Sequence, residues 1–275
     1  MLKFTKMHGL GNDFVVIDAV RQSVHLTPDI VRHLANRHYG VGCDQVLLVE
    51  AAPDDSVDFR YRIYNADGSE VAQCGNGARC FARFVREQGL CTRDDIRVIT
   101  AAGRMRLTHK ANNTVCVDMG IPHHEPAAIP ILATQEQGQY RLKLEDEEYV
   151  FGAVSMGNPH AVIEVKDVDS APVDRIGCWL ERHPFFPERA NIGFLQPVGL
   201  HEARLRVYER GAGETLACGS GACAAAVIGI EHRILRSPVT VTLPGGPLLI
   251  EWAGRGHSVM MTGPAITVFQ GTIPL

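Results

Sequence analysis

The feature that most constrains this chain is that it repeats itself. Tyr64-Asn65-Ala66-Asp67-Gly68-Ser69-Glu70 runs into Cys74-Gly75-Asn76-Gly77-Ala78, and Tyr208-Glu209-Arg210-Gly211-Ala212-Gly213-Glu214 runs into Cys218-Gly219-Ser220-Gly221-Ala222. Cys218 lies 144 positions after Cys74, and the same spacing relates Tyr64 to Tyr208 and Glu70 to Glu214. Gly11-Asn12 with Val16-Ile17 matches Gly157-Asn158 with Val162-Ile163 at 146, and Val98, Gly103 and Gly120 match Val241, Gly246 and Gly263 at 143. Three matches in the same order at nearly constant spacing argue for duplication. The chain has 275 residues, room for two halves of ordinary domain size.

Each half reads as many strands around one main helix. Phe14 to Ile17, Gln45 to Val49, Phe59 to Tyr64 and Arg204 to Tyr208 have strand patterning. Ile96 to Thr100 with Gly103 to Thr108 reads as a hairpin, and Val239 to Leu243 with Leu248 to Trp252 as its copy. Helices are expected over Pro28 to His38, with Thr27 as N-cap, over Ala78 to Gln88, and over Gly221 to Arg233. The last two begin just after Cys-Gly-x-Gly. The Pro-rich polar segment Pro122 to Gly138 is expected to carry the crossing between halves. The halves so defined are 1–118 with 264–275, and 119–263.

Composition narrows the class. A hydrophobic fraction of 45% and a charged fraction of 21% suit a globular core. A net charge of −4 offers no electrostatic case for nucleic acid or an anionic membrane surface. No apolar run has the length of a membrane span, and the first residues lack the pattern of a signal peptide, so a cytoplasmic setting is expected. Eight cysteines in such a chain do not suggest a disulfide framework.

Cys74 and Cys218 stand where a loop becomes a helix. Unpaired backbone N–H groups and the helix dipole favour negative charge there, so both thiols are expected to ionise more easily than usual. The same N–H groups can hold an anionic group of a ligand. Gly75, Gly77, Gly219 and Gly221 would let a ligand approach the backbone. Three other readings stand beside this one. Buried cysteines are often inert, which is the reading preferred for Cys43, Cys80, Cys91, Cys116, Cys178 and Cys223. Structural zinc normally uses a Cys-x-x-Cys spacing, absent around either copy. A nucleotide loop would need Gly-Lys-Ser/Thr or Gly-x-Gly-x-x-Gly, also absent. Two opposed thiols suit one task in particular: removing a proton from one face of a carbon and returning one to the other.

The chain resembles bacterial diaminopimelate epimerases over its whole length. The resemblance is carried by Lys6-Met7-His8-Gly9-Leu10-Gly11-Asn12-Asp13-Phe14, by Asn65 to Ser69 with Cys74 to Cys80, by Met156-Gly157-Asn158-Pro159-His160, by Glu188 to Phe194, and by Tyr208 to Glu214 with Ala217 to Ala222. It implies an α/β (α+β) fold of two pseudo-symmetric domains, each a barrel-like strand set around a central helix, with the active site in the interdomain cleft. It implies interconversion of LL- and meso-2,6-diaminopimelate for lysine and peptidoglycan precursor synthesis. No cofactor, neither pyridoxal phosphate nor metal, is implied. Cys74 and Cys218 become the acid/base pair, assisted by His160 and Glu209. Asn12, Gln45, Asn65, Asn158, Asn191, Glu209 and Arg210 become substrate-binding residues, with backbone at Gly75, Asn76, Gly219 and Ser220 holding the reacting carboxylate. The residue types suit this: Arg210 can clamp a distal carboxylate, and asparagines can serve a carboxylate and an ammonium alike. The implied partner is the small substrate and a second copy of the chain. Phe269 stands where some family members carry a tyrosine in a dimer interface, and it keeps the ring without the hydroxyl. Rival functions are a proline racemase-like enzyme of the same architecture, a dithiol redox protein, and a non-catalytic amino-acid binder.

Overall fold

Residues 1–72 and 74–275 are described in the structure, a computed structural model. The chain divides into two compact units, Met1–Asp118 with Thr262–Leu275, and Met119–Met261.

The first unit holds β1 (Leu2–Gly9), β2 (Asn12–Asp18), α1 (Pro28–Ala35), β3 (Gln45–Ala51), β4 (Phe59–Asn65), β5 (Glu70–Val71), α2 (Gly75–Glu87), β6 (Asp95–Thr100), β7 (Gly103–His109) and β8 (Thr114–Asp118). β1 pairs antiparallel with β2, which lies parallel to β3; β3 is antiparallel to β4, which lies parallel to β6, and β6 turns back into β7. The second unit holds β9 (Tyr140–Leu144), β10 (Glu147–Ser155), β11 (Pro159–Glu164), α3 (Val173–Glu181), β12 (Asn191–Gly199), β13 (Glu202–Glu209), β14 (Gly213–Thr215), α4 (Gly219–Glu231), β15 (Val239–Leu243) and β16 (Gly246–Glu251). Its pairings from β10 through β11, β12, β13 and β15 to β16 follow the same succession: antiparallel, parallel, antiparallel, parallel, antiparallel. The chain returns through β17 (Met260–Pro264) to β18 (Ile266–Ile273), which pairs antiparallel with β1 in the first unit.

The register shows the duplication residue by residue. Phe14 stands opposite Gln45 between β2 and β3, and His160 stands opposite Asn191 between β11 and β12. Both partners shift by the repeat spacing. Each unit wraps its strands around one helix. α2 packs on β1, β2, β3, β7, β8 and β18, and α4 on β10, β11, β12, β13, β15 and β16. α4 is apolar on every face, with Ala222 to Val227 wholly buried, the mark of a helix enclosed by its own strands.

Several details differ from the sequence expectation. α1 stops at Ala35, because Asn36 leaves the helical region and the chain turns toward Gly42, which takes φ +78. α2 and α4 begin at Gly75 and Gly219, earlier than expected, with the cysteines themselves as N-caps. α3 is an additional helix. The segment 122–138 lies inside the second unit, tied by the His123–Ser155 bridge, and carries no crossing. Among the described residues no helix is long and apolar enough to cross a membrane.

Candidate active site

Cys74 is half-buried in an extended conformation, and its sulfur accepts the Gly77 N–H at 3.5 Å. Its carbonyl accepts the Ala78 N–H at 2.8 Å, as the Cys218 carbonyl accepts the Ala222 N–H at 3.0 Å. Both cysteines therefore sit at helix starts by the same backbone bonding. The second glycine of each Cys-Gly-x-Gly has a different reason from the expected one. A Cβ on Gly77 would collide with the Tyr61 hydroxyl, and one on Gly221 would come within 3.1 Å of Val207. These two glycines let the helix pack tightly on β4 and β13; they do not open a path for a ligand. Gly75 and Gly219 are the first helical residues, where backbone N–H groups have no partner within the helix.

In the first unit Asn12 is the hub. Its Oδ1 lies 3.8 Å from Cys74 Sγ and accepts Asn76 Nδ2 at 3.3 Å. Its Nδ2 donates to Asp44 at 3.0 Å. Gln45 and Asn65 form a second pair: Gln45 Nε2 donates to Asn65 Oδ1 at 3.0 Å, and Asn65 Nδ2 to Ser69 at 3.2 Å. Gln45 Oε1 is a buried acceptor that no described group satisfies. A buried acceptor left open is unfavourable by itself and suits an incoming N–H donor.

In the second unit Asn158 donates to the Ser220 hydroxyl at 3.4 Å, and Ser220 Oγ lies 3.7 Å from Cys218 Sγ. His160 Nε2 donates to Asn158 Oδ1 at 3.0 Å. Asn191 bridges the chain: it donates to the Pro159 carbonyl at 3.1 Å and accepts the Arg210 backbone N–H at 3.0 Å. Arg210 is exposed, and its guanidinium donates to the Glu188 carbonyl at 3.1 Å. Glu209 accepts the Thr215 hydroxyl and a hydrogen bond from Cys218. Each unit thus gathers its own share of the expected residues. Phe269 stands apart on β18, half exposed, with its ring edge-on to Phe4 at 5.9 Å.

The electrostatics correct one expectation. Burial pushes the Cys218 thiol well above its ordinary range, and the Glu209 carboxylate adds to the rise. The Ser220 hydroxyl and the Gly221 N–H pull the other way and lose. The helix start therefore does not make Cys218 a thiolate: at 3% exposure, desolvation outweighs the dipole. Burial, with the positive charge of Arg210, lowers His160 to about 3, so it is a neutral imidazole at ordinary pH. Beneath Asn12, burial opposes the charge of Asp13, yet hydrogen bonds from Arg37 and Lys6 hold its carboxyl far below the usual range. Lys6 lies 2.6 Å from Asp13, and Arg37 bridges Asp13 and Asp44 at 2.8 and 3.0 Å.

Sequence reasoning missed Asp44, Arg37 and Arg79, and it missed Glu181. The Glu181 carboxylate is 1% exposed and accepts the Gly211 N–H at 2.9 Å, pinning the turn that follows Glu209 and Arg210. A charge one helix away from a motif leaves no mark in local spacing. Asp44 was nearer to hand, since it immediately precedes Gln45. Among the described residues no group of three His, Cys, Asp or Glu side chains is arranged to hold a metal ion.

Comparison with known proteins bears on the fold and on the family. A hydroxyproline epimerase from Agrobacterium vitis, solved with bound trans-4-hydroxy-L-proline, superposes with a TM-score of 0.70 at 16% identity, over 98% of this chain and 91% of that one. A probable proline racemase from Agrobacterium radiobacter gives 0.72 at 15% identity, over 100% and 93%. A phenazine biosynthesis protein of the PhzF family from Bacillus anthracis gives 0.68 at 16%, over 100% and 99%. At these identities the likeness concerns the fold, a mixed α/β architecture shared by racemases and epimerases. The family model described as diaminopimelate epimerase matches residues 4–125 and 152–268. With both halves of the duplication, both cysteine motifs and most of the chain inside that match, this protein belongs to the diaminopimelate epimerase family and is an isomerase.

Proposed function

We propose that the protein interconverts LL- and meso-2,6-diaminopimelate with Cys74 and Cys218 as the two acid/base groups, acting on opposite faces of one α-carbon. The observation that carries the reading is the duplicated setting: each unit places a cysteine as N-cap of its central helix, with an asparagine against the sulfur at Cys74 and one reaching Cys218 through the Ser220 hydroxyl.

The proton steps follow from the groups present. Cys218 rests as a thiol hydrogen-bonded to Glu209, so Glu209 is the group that accepts its proton and releases the thiolate. The thiolate takes the α-proton, and the Cys74 thiol returns a proton to the other face. In the reverse direction the sulfurs exchange roles. Backbone N–H groups at Gly75, Asn76, Gly219 and Ser220 hold the α-carboxylate and take up charge that develops on it. Gln45 Oε1 offers an acceptor for an ammonium. Arg210 and the Asn65–Asn191 amides take the distal end, where the guanidinium fork matches a carboxylate. The active form is a homodimer with Phe269 in its contact face, and the enzyme works in the cytoplasm on precursors of lysine and peptidoglycan.

A proline racemase-like activity is the second reading, favoured by the fold shared with the hydroxyproline epimerase and the probable proline racemase. A site with fixed partners for a distal carboxylate and ammonium discriminates strongly against a substrate lacking both. Epimerisation assayed in parallel on LL-diaminopimelate and on L-proline separates the two. Turnover of diaminopimelate with none of proline is expected; the opposite result overturns the assignment.

A further inference from the structure

Asn12 lies between two charged side chains whose hydrogen-bonding polarity admits no choice. At one end is Arg79, wholly buried, which can only donate; its guanidinium NH2 donates to Asn76 Oδ1 at 3.0 Å. That fixes the Asn76 amide and turns its Nδ2 onto Asn12 Oδ1 at 3.3 Å. At the other end the Asp44 carboxylate can only accept. Its Oδ2 takes Asn12 Nδ2 at 3.0 Å and the Asp13 N–H at 3.1 Å. Asp44 is itself held, by Arg37 at 3.0 Å and by its own N–H to Asp13 Oδ1 at 2.8 Å. An Asn12 amide turned the other way would set N–H against N–H at Asn76 and oxygen against carboxylate at Asp44. Its Oδ1 therefore faces Cys74 Sγ. An amide oxygen only accepts, so this contact favours S–H over a thiolate, whose charge would meet a lone pair, and it opposes the Gly77 N–H that the same sulfur accepts at 3.5 Å.

The second unit lacks this device. At the repeat spacing, Arg79 corresponds to Cys223 and Asp44 to Ala190. There the asparagine is turned the other way, with Oδ1 on His160 and Nδ2 toward Ser220.

We propose that Asp44 and Arg79 are positioning residues, the charged ends of a relay Arg79–Asn76–Asn12–Asp44 that fixes the Asn12 amide and so holds Cys74 protonated in the free enzyme. The inference rests on the reading of Cys74 as an acid/base group. It makes the resting enzyme a proton donor at Cys74.

The test is the pH dependence of iodoacetamide alkylation in the whole protein, read separately for Cys74 and Cys218 by peptide mass spectrometry. In Asp44→Asn the new amide can donate as well as accept, which releases the clamp and lets Asn12 offer its N–H to the sulfur. The Cys74 midpoint is expected to fall by about 0.5 pH unit or more, with the Cys218 midpoint unmoved. Asp13→Asn removes a carboxylate from the same cluster without touching Asn12 and is expected to move Cys74 by less. No shift in Asp44→Asn, or equal shifts in both variants, would overturn the relay. Should Asp44→Asn fail to fold, the infrared difference between wild type and Cys74→Ala isolates the Cys74 S–H band. A band displaced to lower frequency by hydrogen-bond donation is expected; no S–H band at neutral pH contradicts the proposal. Neither readout needs substrate. A protein inert toward diaminopimelate that still showed these shifts would keep the relay and lose only the proposed reaction.

Discussion

At Cys218 two effects of opposite sign meet on one atom. The helix start favours a thiolate, while burial beside the Glu209 carboxylate favours the thiol, and burial wins. Glu209→Gln removes the negative charge that holds the proton on sulfur and leaves a neutral amide oxygen as the weaker acceptor, so the folded-state value of Cys218 falls while burial still keeps it raised. Its alkylation midpoint should move to lower pH in Glu209→Gln, while turnover falls by roughly 10²–10⁴ for the loss of a proton acceptor. A midpoint that stayed put or rose would show that Glu209 does not govern this thiol. The two halves differ at such residues. Phe14 in the first unit corresponds to His160 in the second, and Asn65 to Glu209. The duplication supplies both sulfurs, and divergence at single positions gives the second unit the ionisable neighbours.

The helices that follow the cysteine motifs were legible in the sequence, whereas α3, which stands at the repeat spacing from α1, was not. α2 and α4 follow from the repeat, since each cysteine motif had to end in a helix. Their starts were placed late, at Ala78 and Gly221, because the Gly-rich residues just before them read as loop, although the cysteine caps draw those residues into the first turn. α3 was hidden for a related reason. It is short, Pro172 stands at its N-cap, and Gly177 interrupts its middle. Packing explains that glycine: a Cβ there would come within 2.5 Å of Tyr208 Cβ. Helix propensity alone predicts that Gly177→Ala stabilises the protein, by about 1 kcal/mol. The collision predicts destabilisation by about 1–3 kcal/mol instead. Urea denaturation decides between them, and a raised midpoint would mean that α3 can move off β13. Its place matters for the site, because Glu181 in its last turn holds the Gly211 N–H behind Arg210.

Across the two units, the duplication was readable because cysteine, glycine and strand register recur together. The charged cluster of Lys6, Asp13, Arg37 and Asp44 was not readable, because its members meet only when β1, β2 and the loop after α1 come together. Assembly belongs to this scale as well. β18 leaves Ile266, Val268 and Phe269 half exposed. Exposed apolar side chains grouped in this way suit a contact with a second copy of the chain. For the proposed homodimer, Phe269→Glu should shift the sedimentation coefficient from dimer to monomer, and an unchanged value would remove Phe269 from the interface.

Solvent isotope tracing follows the transferred proton itself. LL-diaminopimelate incubated with the enzyme in heavy water should yield meso product carrying deuterium at the inverted carbon. Cys74→Ala and Cys218→Ala should each abolish that inversion, and serine at either position should leave little of it, since a hydroxyl is the weaker acid/base group. Near-normal inversion by either alanine variant, or meso product without solvent deuterium, would contradict a mechanism in which two sulfurs share one carbon.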